Sequence, residues 1–240
     1  MSDVHANLVA LDAVLADLEE VGPDLVVQGG DLVGMGPRPA ECVDRIRELG
    51  WPSVAGNWER VVAGDPLPPQ VEPERAPRVA QPKLIGFTRR HGRWSAARLG
   101  PERVRWLASL PLEWQDNHFL AVVHAVPGNT WPVVSSSASD MELRATFAAL
   151  DAATVAYCHT HVAYVRDLGS VTIANAGSAG APLDGDPRLS YLMIENGSPT
   201  LRRVEYDVEH AVADLEASAI PDMEWVATLY RTAAMPPLPA

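Results

Sequence analysis

Apolar residues recur along this chain at two different periods, and segments of one period alternate with segments of the other. Over residues 7–20, Leu8, Leu11, Leu15 and Leu18 fall three and four positions apart, the spacing of one helix face. Asn7 can cap that helix through its side-chain oxygen, and Gly22 followed by Pro23 ends it. A short apolar run at 25–27 then leads into Gly29, Gly30 and Asp31, which predicts a buried strand opening onto a turn. A second helix is predicted from Pro39, with Val43, Ile46 and Leu49 inward and Gly50 as its stop. Residues 53–55 are the next strand candidate, ahead of Gly56, Asn57, Trp58 and Glu59.

Residues 64–82 are rich in proline and charge around PLPPQVEPERAP, and predict a surface excursion, reaching to about residue 100, within a single domain. Residues 101–110 read as a helix, and 119–123 as a strand leading into His124. Beyond a stretch rich in Gly, Asn and Ser, a helix is expected at 141–150 and a strand at 154–157, running into Cys158-His159-Thr160-His161. Residues 190–194 and 201–206 flank Asn196-Gly197, a hairpin signal whose spacing leaves a longer turn open. Asp207 can cap a last helix through Ala219. Alternating strands and helices argue for an α/β domain whose sheets are covered by helices.

Composition narrows the function. A chain of 240 residues with a 47% hydrophobic share can bury one substantial core. No stretch approaches the ~18 uninterrupted apolar residues of a membrane span, and the opening residues lack the basic-then-apolar order of a secretory signal, so a soluble cytoplasmic protein is expected, with no membrane partner. Cys42 and Cys158 form no CxxC pair and read as small core residues. The formal charge of -12 disfavours nonspecific binding to nucleic acid or anionic lipid. A small phosphorylated substrate remains compatible, because bound cations reverse the local field.

The chemistry sits at the strand ends. Asp3-x-His5 and His159-x-His161 share one spacing, and residues two apart at a strand terminus point to one side, so each pair can converge on one ion. Gly30-Asp31, Gly56-Asn57 and His124 each follow an apolar run, where α/β sheets gather their sites. Mixed oxygen and imidazole donors suit Mn, Fe, Co, Ni or Zn better than Ca or Mg. His91, His118 and His210 lie in polar surroundings and are expected to be solvated, as are Arg89, Arg90 and Arg93. Glu59 reads as a first-turn residue that favours the helix dipole.

In this order the blocks resemble those of the calcineurin-like metallophosphoesterases, D-x-H, G-D, G-N-H-[DE], H and G-H-x-H, and look closest to the bacterial small-phosphoesterase branch. The likeness spans almost the whole chain. It implies a four-layer α/β/β/α sandwich as one domain over residues 1–240. It implies two divalent ions, the first held by Asp3, His5 and His161, the second by Asn57, His124 and His159, with Asp31 bridging. Asn57 would also stand at a catalytic position, and Asn7 and Trp58 at the substrate pocket or behind the ligands. An intervening water, made acidic enough to act as hydroxide, would attack a phosphodiester of a small or nucleotide-like substrate. The alternatives are a phosphomonoesterase, a dinucleoside polyphosphate hydrolase, and a catalytically weakened metal-binding scaffold.

Four departures from the family pattern qualify that expectation. Trp58 replaces the His of G-N-H-[DE], and an indole N–H can donate a hydrogen bond but cannot deliver a proton. Cys158 stands where Gly is usual, which puts a tight backbone there in question. Ala125-Val126-Pro127 replaces Gly-Ser-Pro. Only Met1 and Ser2 precede Asp3, where the family has a central strand. Its lack would leave unpaired backbone groups and an open slot in the core, and the expectation is a natural start upstream. The turn at Asn175 and 177–180 is placed near the site, without deciding whether it touches phosphate.

Overall fold

The computed structural model describes residues 1–70 and 81–239, so the proline-rich centre of the predicted excursion lies partly outside the described residues. The first helix, α1 (Leu8–Val21), forms where the leucine spacing places it: Asn7 accepts the Ala10 N–H, and Gly22 closes it at φ 64°. Its buried face is Ala10, Leu11, Val14 and Leu18, turned slightly from the predicted leucine line. In α2 (Pro39–Leu49), Cys42, Val43 and Ile46 are buried and Gly50 ends the helix in the left-handed region. Leu49, expected inward, is exposed.

A short helix, α3 (Asn57–Ala63), is followed by a long one, α4 (Gln81–Ala108), broken at Gly100. Residues 81–100, expected within the surface excursion, form a helix with one face buried. Phe87, His91, Ser95 and Leu99 recur at helical steps as its buried face, and Gly92 lies directly against Val61 of α3. The arginines and glycines of this stretch mask that periodicity. His91, expected in solvent, is fully buried, stacked on Phe87.

The main sheet combines β1 (Glu113–Asp116), β2 (Leu120–Val123), β3 (Thr154–Tyr157), β4 (Tyr164–Asp167) and β5 (Thr172–Asn175) in the order β1-β2-β3-β5-β4. The inner pairs β2–β3 and β3–β5 are parallel, and both edge strands are antiparallel. The apolar runs of β2 and β3 follow from burial on both faces, while the edge strands β1 and β4 alternate in exposure. The helix α5 (Asp140–Phe147) packs Leu143 and Phe147 into a core with Val123, Val155, Tyr157 and Ile173. The remaining pair, β6 (Leu189–Glu195) and β7 (Ser198–Val204), is joined by a two-residue turn, with Asn196 at φ 50° and Gly197 at φ 82°. Asp207 caps α6 (Val208–Ser218) as expected, and α7 (Met223–Thr232) closes a larger core built on α1, α2 and α4. This is the mixed α/β class the sequence predicts. No helix among the described residues is long and apolar enough to cross a membrane.

The second sheet is smaller than expected. Residues 25–27 and 53–55 do not become strands; they meet in a single parallel bridge, Gln28 to Ser53. Beside them lies an open groove of about 790 Å³, bordered by Val27, Trp114, Leu120, Val122, Tyr191 and Leu192. Met1 sits at its end as a strand residue would, its ammonium donating to the Val27 carbonyl at 3.1 Å and its carbonyl accepting the Gly29 N–H at 2.9 Å. Burial lowers the pKa of that amino group. Residues 25 and 26 make no backbone pairing among the described residues, and β6 pairs only with β7.

Candidate metal centre

The loops that carry the candidate residues are held in sparsely populated backbone conformations. Asp3, His5, Asp31, His159 and His161 all have positive φ, between 50° and 65°. For residues with a Cβ each such conformation costs on the order of 1 kcal/mol, and it persists where surrounding contacts over-determine it. Those contacts are present. Asp3 N–H donates to Gly30 O, His5 N–H to Asp31 O and Ala6 N–H to Leu32 O, so the first loop is laced to the second. A Cβ on Gly56 would collide with the Asp31 carboxylate, and one on Gly30 with His124, which explains both glycines.

Glu59 fixes the second loop. Its carboxylate accepts the N–H groups of Asp31 (2.7 Å), Leu32 (2.9 Å) and Gly56 (2.7 Å) while fully buried. Burial, then repulsion from Asp31, pushes its pKa up to about 7. Glu59 lies in the first turn of α3, as expected, and is in addition a buried anchor for which its spacing three residues after Gly56 was the available signal. Ser178 went unnoticed in the sequence: its hydroxyl donates to Asp3 O and accepts the Gly180 and Ala181 N–H groups. Asn175 donates to Cys158 O. The turn at 175–181 therefore clamps the ligand loops.

All seven predicted donors are brought together and buried. Asp3, His5 and His161 form one group with donor atoms within 4.8 Å of one another, and Asp31, His124 and His159 form a second. Asp31 Oδ2 lies between them, 3.7 Å from His5 Nε2 and 3.3 Å from His124 Nε2. Asn57 Oδ1 is 3.1 Å from His124 Nε2, at the edge of the second group.

The protonation chemistry of the rings tests whether a cation fits. His161 Nδ1 faces Ala181 O at 2.5 Å and His124 Nδ1 faces Gly29 O at 2.9 Å, so each Nδ1 carries a hydrogen and each neutral ring aims an Nε2 lone pair inward. Those lone pairs meet carboxylate oxygens, Asp3 Oδ1 at 3.2 Å and Asp31 Oδ2 at 3.3 Å. Asp3 Oδ1 is buried without a hydrogen-bond partner. Acceptors facing acceptors need positive charge between them, from protons or from metal ions. Burial alone would depress His124, yet the Asp31 carboxylate overrides it and raises the pKa to about 10. Burial together with repulsion from His161 lowers His5 to about 4, so protons cannot satisfy every ring at once. The donor set fits divalent cations.

The departures at Trp58 and Cys158 are accommodated locally. Trp58 is buried, its backbone N–H donates to Asp31 Oδ1 at 2.9 Å, and its indole lies over Gly34, edge-on to His5 and His91. It is a wall of the cleft above the donors. Cys158 does not need positive φ; its thiol packs on Gly29, and burial raises its pKa, keeping it protonated. Asn7 caps α1 and donates to Gly180 O, behind the donors and outside the cleft lining. His118 and His210 are exposed, as are Arg89, Arg90 and Arg93, with Arg90 paired to Asp222.

Comparison with known proteins adds an independent line. A family profile described as a calcineurin-like phosphoesterase superfamily domain matches residues 1–198. An uncharacterized protein of Methanocaldococcus jannaschii is 27% identical over 94% of this chain and 93% of its own. The crystal structure of a metallophosphoesterase from Sphaerobacter thermophilus superposes with a TM-score of 0.77 at 31% identity, covering 98% of both chains. A hypothetical protein from Pyrococcus horikoshii OT3 superposes with a TM-score of 0.82 over 98% of both chains at 16% identity, a likeness of fold.

Proposed function

The chain is a metallophosphoesterase of the calcineurin-like phosphoesterase superfamily, and from that premise we propose that it hydrolyses phosphodiesters of small or nucleotide-like substrates at a two-ion centre. The observation that carries this reading is the convergence of two buried donor groups on the shared Asp31 carboxylate. In it, Asp3, His5 and His161 hold one ion, Asn57, His124 and His159 the other, and Asp31 both. When bound, such ions polarise phosphoryl oxygens and lower the pKa of water toward neutrality.

The chain's own residues set the rest. Asp31 is held on one side by the Trp58 N–H and on the other through its backbone by Glu59, so its inward oxygen is fixed before any ion arrives. His124 and His161 are locked in one tautomer by the carbonyls behind them. Asn57, at the first position of α3, presents a neutral oxygen near the reacting phosphoryl group. Trp58 excludes water from one wall but supplies no proton to a departing alkoxide. The substrates favoured are therefore esters whose leaving group departs without protonation.

Trp58→His is expected to raise kcat for poor leaving groups by about 10² or more and to change kcat little for good ones, as positioned acids contribute on that scale. Steady-state rates across a series of leaving-group pKa values check this; an equal gain on all esters would contradict it. The reading as a whole is tested by hydrolysis of an aryl phosphodiester with Mn or Ni. A protein that holds two ions and turns over no ester is a scaffold instead.

A further inference from the structure

The cleft over the donor groups has an unusual lining. Its floor is His5, Asp31, Asn57, His159 and His161. Its walls are Trp58, Phe87, Trp131, Trp225, Met235 and Leu238, with a few further apolar residues and the hydroxyl-bearing Thr88. No lysine or arginine is among the described residues that line it. Among the described residues, the cations on the neighbouring elements are turned away or engaged. Arg89 and Arg93 fall two positions from the buried Phe87 and His91 on α4, which points them to its opposite side, into solvent. Arg90 is paired with Asp222 at 2.8 Å, and Arg203 near Leu183 with Asp184 at 2.5 Å.

This composition decides what can lie beside the phosphoryl group. Further phosphates, as in a dinucleoside polyphosphate, would place anionic oxygens against aromatic faces with no cation among the described lining residues to compensate their lost hydration. A planar ring on the same faces gains stacking of about 1 kcal/mol or more. The cleft is closed down to about 50 Å³, room for little more than one or two waters. The walls differ in how firmly they are held. Phe87 and Trp225 are buried core residues, whereas Met235 and Leu238 lie on the irregular segment after α7, fastened by the Trp225 indole N–H on Pro236 O at 3.2 Å. Met235 is 46% exposed. Trp131, half-buried, stands on the loop after His124.

We infer that the cleft is a subsite for a planar aromatic substituent of a singly charged phosphodiester, an aryl group or a nucleobase, seated on Trp131 and admitted when Met235 and Leu238 swing out. The inference rests on the two-ion phosphodiesterase reading for the place of the phosphoryl group, and it narrows the substrate within that reading away from polyphosphate chains.

Calorimetry on the Mn-loaded protein separates it from alternatives. Diphenyl phosphate and dimethyl phosphate carry the same charge and differ in their substituents, so the first is expected to bind at least about tenfold more tightly, the gain of one stacked ring. Trp131→Ala, which alters a loop residue and none of the donors, should remove most of that difference, leave dimethyl phosphate binding unchanged and keep the metal content. In kinetics, a diaryl ester should show a lower KM than a methyl aryl ester with the same leaving group, and removal of residues 235–240 should lower it further. Equal affinity for the two phosphates, or equal weakening of both by Trp131→Ala, would overturn the inference. Ring-selective binding without hydrolysis of any ester would uphold the subsite and overturn the enzymatic reading instead.

Discussion

Asp31→Asn is expected to lower kcat/KM for an aryl phosphodiester by about 10³ or more, since the metals of such a site supply several kcal/mol of charge stabilisation and this residue is the one proposed to hold both. The substitution is chosen because it keeps the shape of the side chain. An amide oxygen can still accept the Trp58 N–H that Asp31 Oδ1 now accepts, so the loop should keep its form. What is lost is the negative oxygen placed 3.7 Å from one donor group and 3.3 Å from the other. Circular dichroism should match wild type while activity falls. A variant retaining more than a tenth of the activity would show that Asp31 does not join the two halves of the site.

Glu59→Ala should act first on stability. Three buried N–H groups, those of Asp31, Leu32 and Gly56, lose their acceptor at once, and the smallest plausible penalty of about 1 kcal/mol for each sums to roughly 3 kcal/mol or more. For a chain of this length that corresponds to a fall in Tm of about 6 °C or more. Metal affinity should drop as well, by about 10- to 100-fold, because Asp31 and Asn57 flank the loosened backbone. Glu59→Gln keeps one acceptor oxygen and turns an amide NH2 toward a backbone N–H, so an intermediate loss is expected. Thermal melts of both variants check the order, and a Glu59→Ala protein melting within 2 °C of wild type would contradict the role assigned to this carboxylate.

That the candidate donors would lie close together was legible because these residues obey short-range rules. Asp3-x-His5 and His159-x-His161 repeat one spacing, and His124 and His159 follow β2 and β3, whose apolar runs are plain. Asn7, Asp207, Gly22 and Gly50 could be placed as caps because a cap needs one residue type at one position. The conformations of these loops were not legible, since a left-handed Asp or His is imposed by contacts with chain segments 22 to 156 positions away. The same is true of Glu59 and Ser178, whose partners lie across the fold. The stretch at 81–100 misled because Arg89, Arg90 and Arg93 occupy the outer face of a helix whose inner face includes His91 and Ser95, residues that a hydrophobic pattern does not count. Residues 25–27 and 53–55 misled for a different reason: their composition is that of strands, but they meet only in the single Gln28–Ser53 bridge beside the groove.

The most direct test of the central claim is the metal content of the protein, loaded with excess Mn, freed of unbound ion and measured by elemental analysis beside Asp31→Asn. Two ions per chain in the wild type and one or none in the variant is the predicted result, because both donor groups depend on the same carboxylate. A wild-type protein that retains no ion, or a variant that retains two, would contradict it.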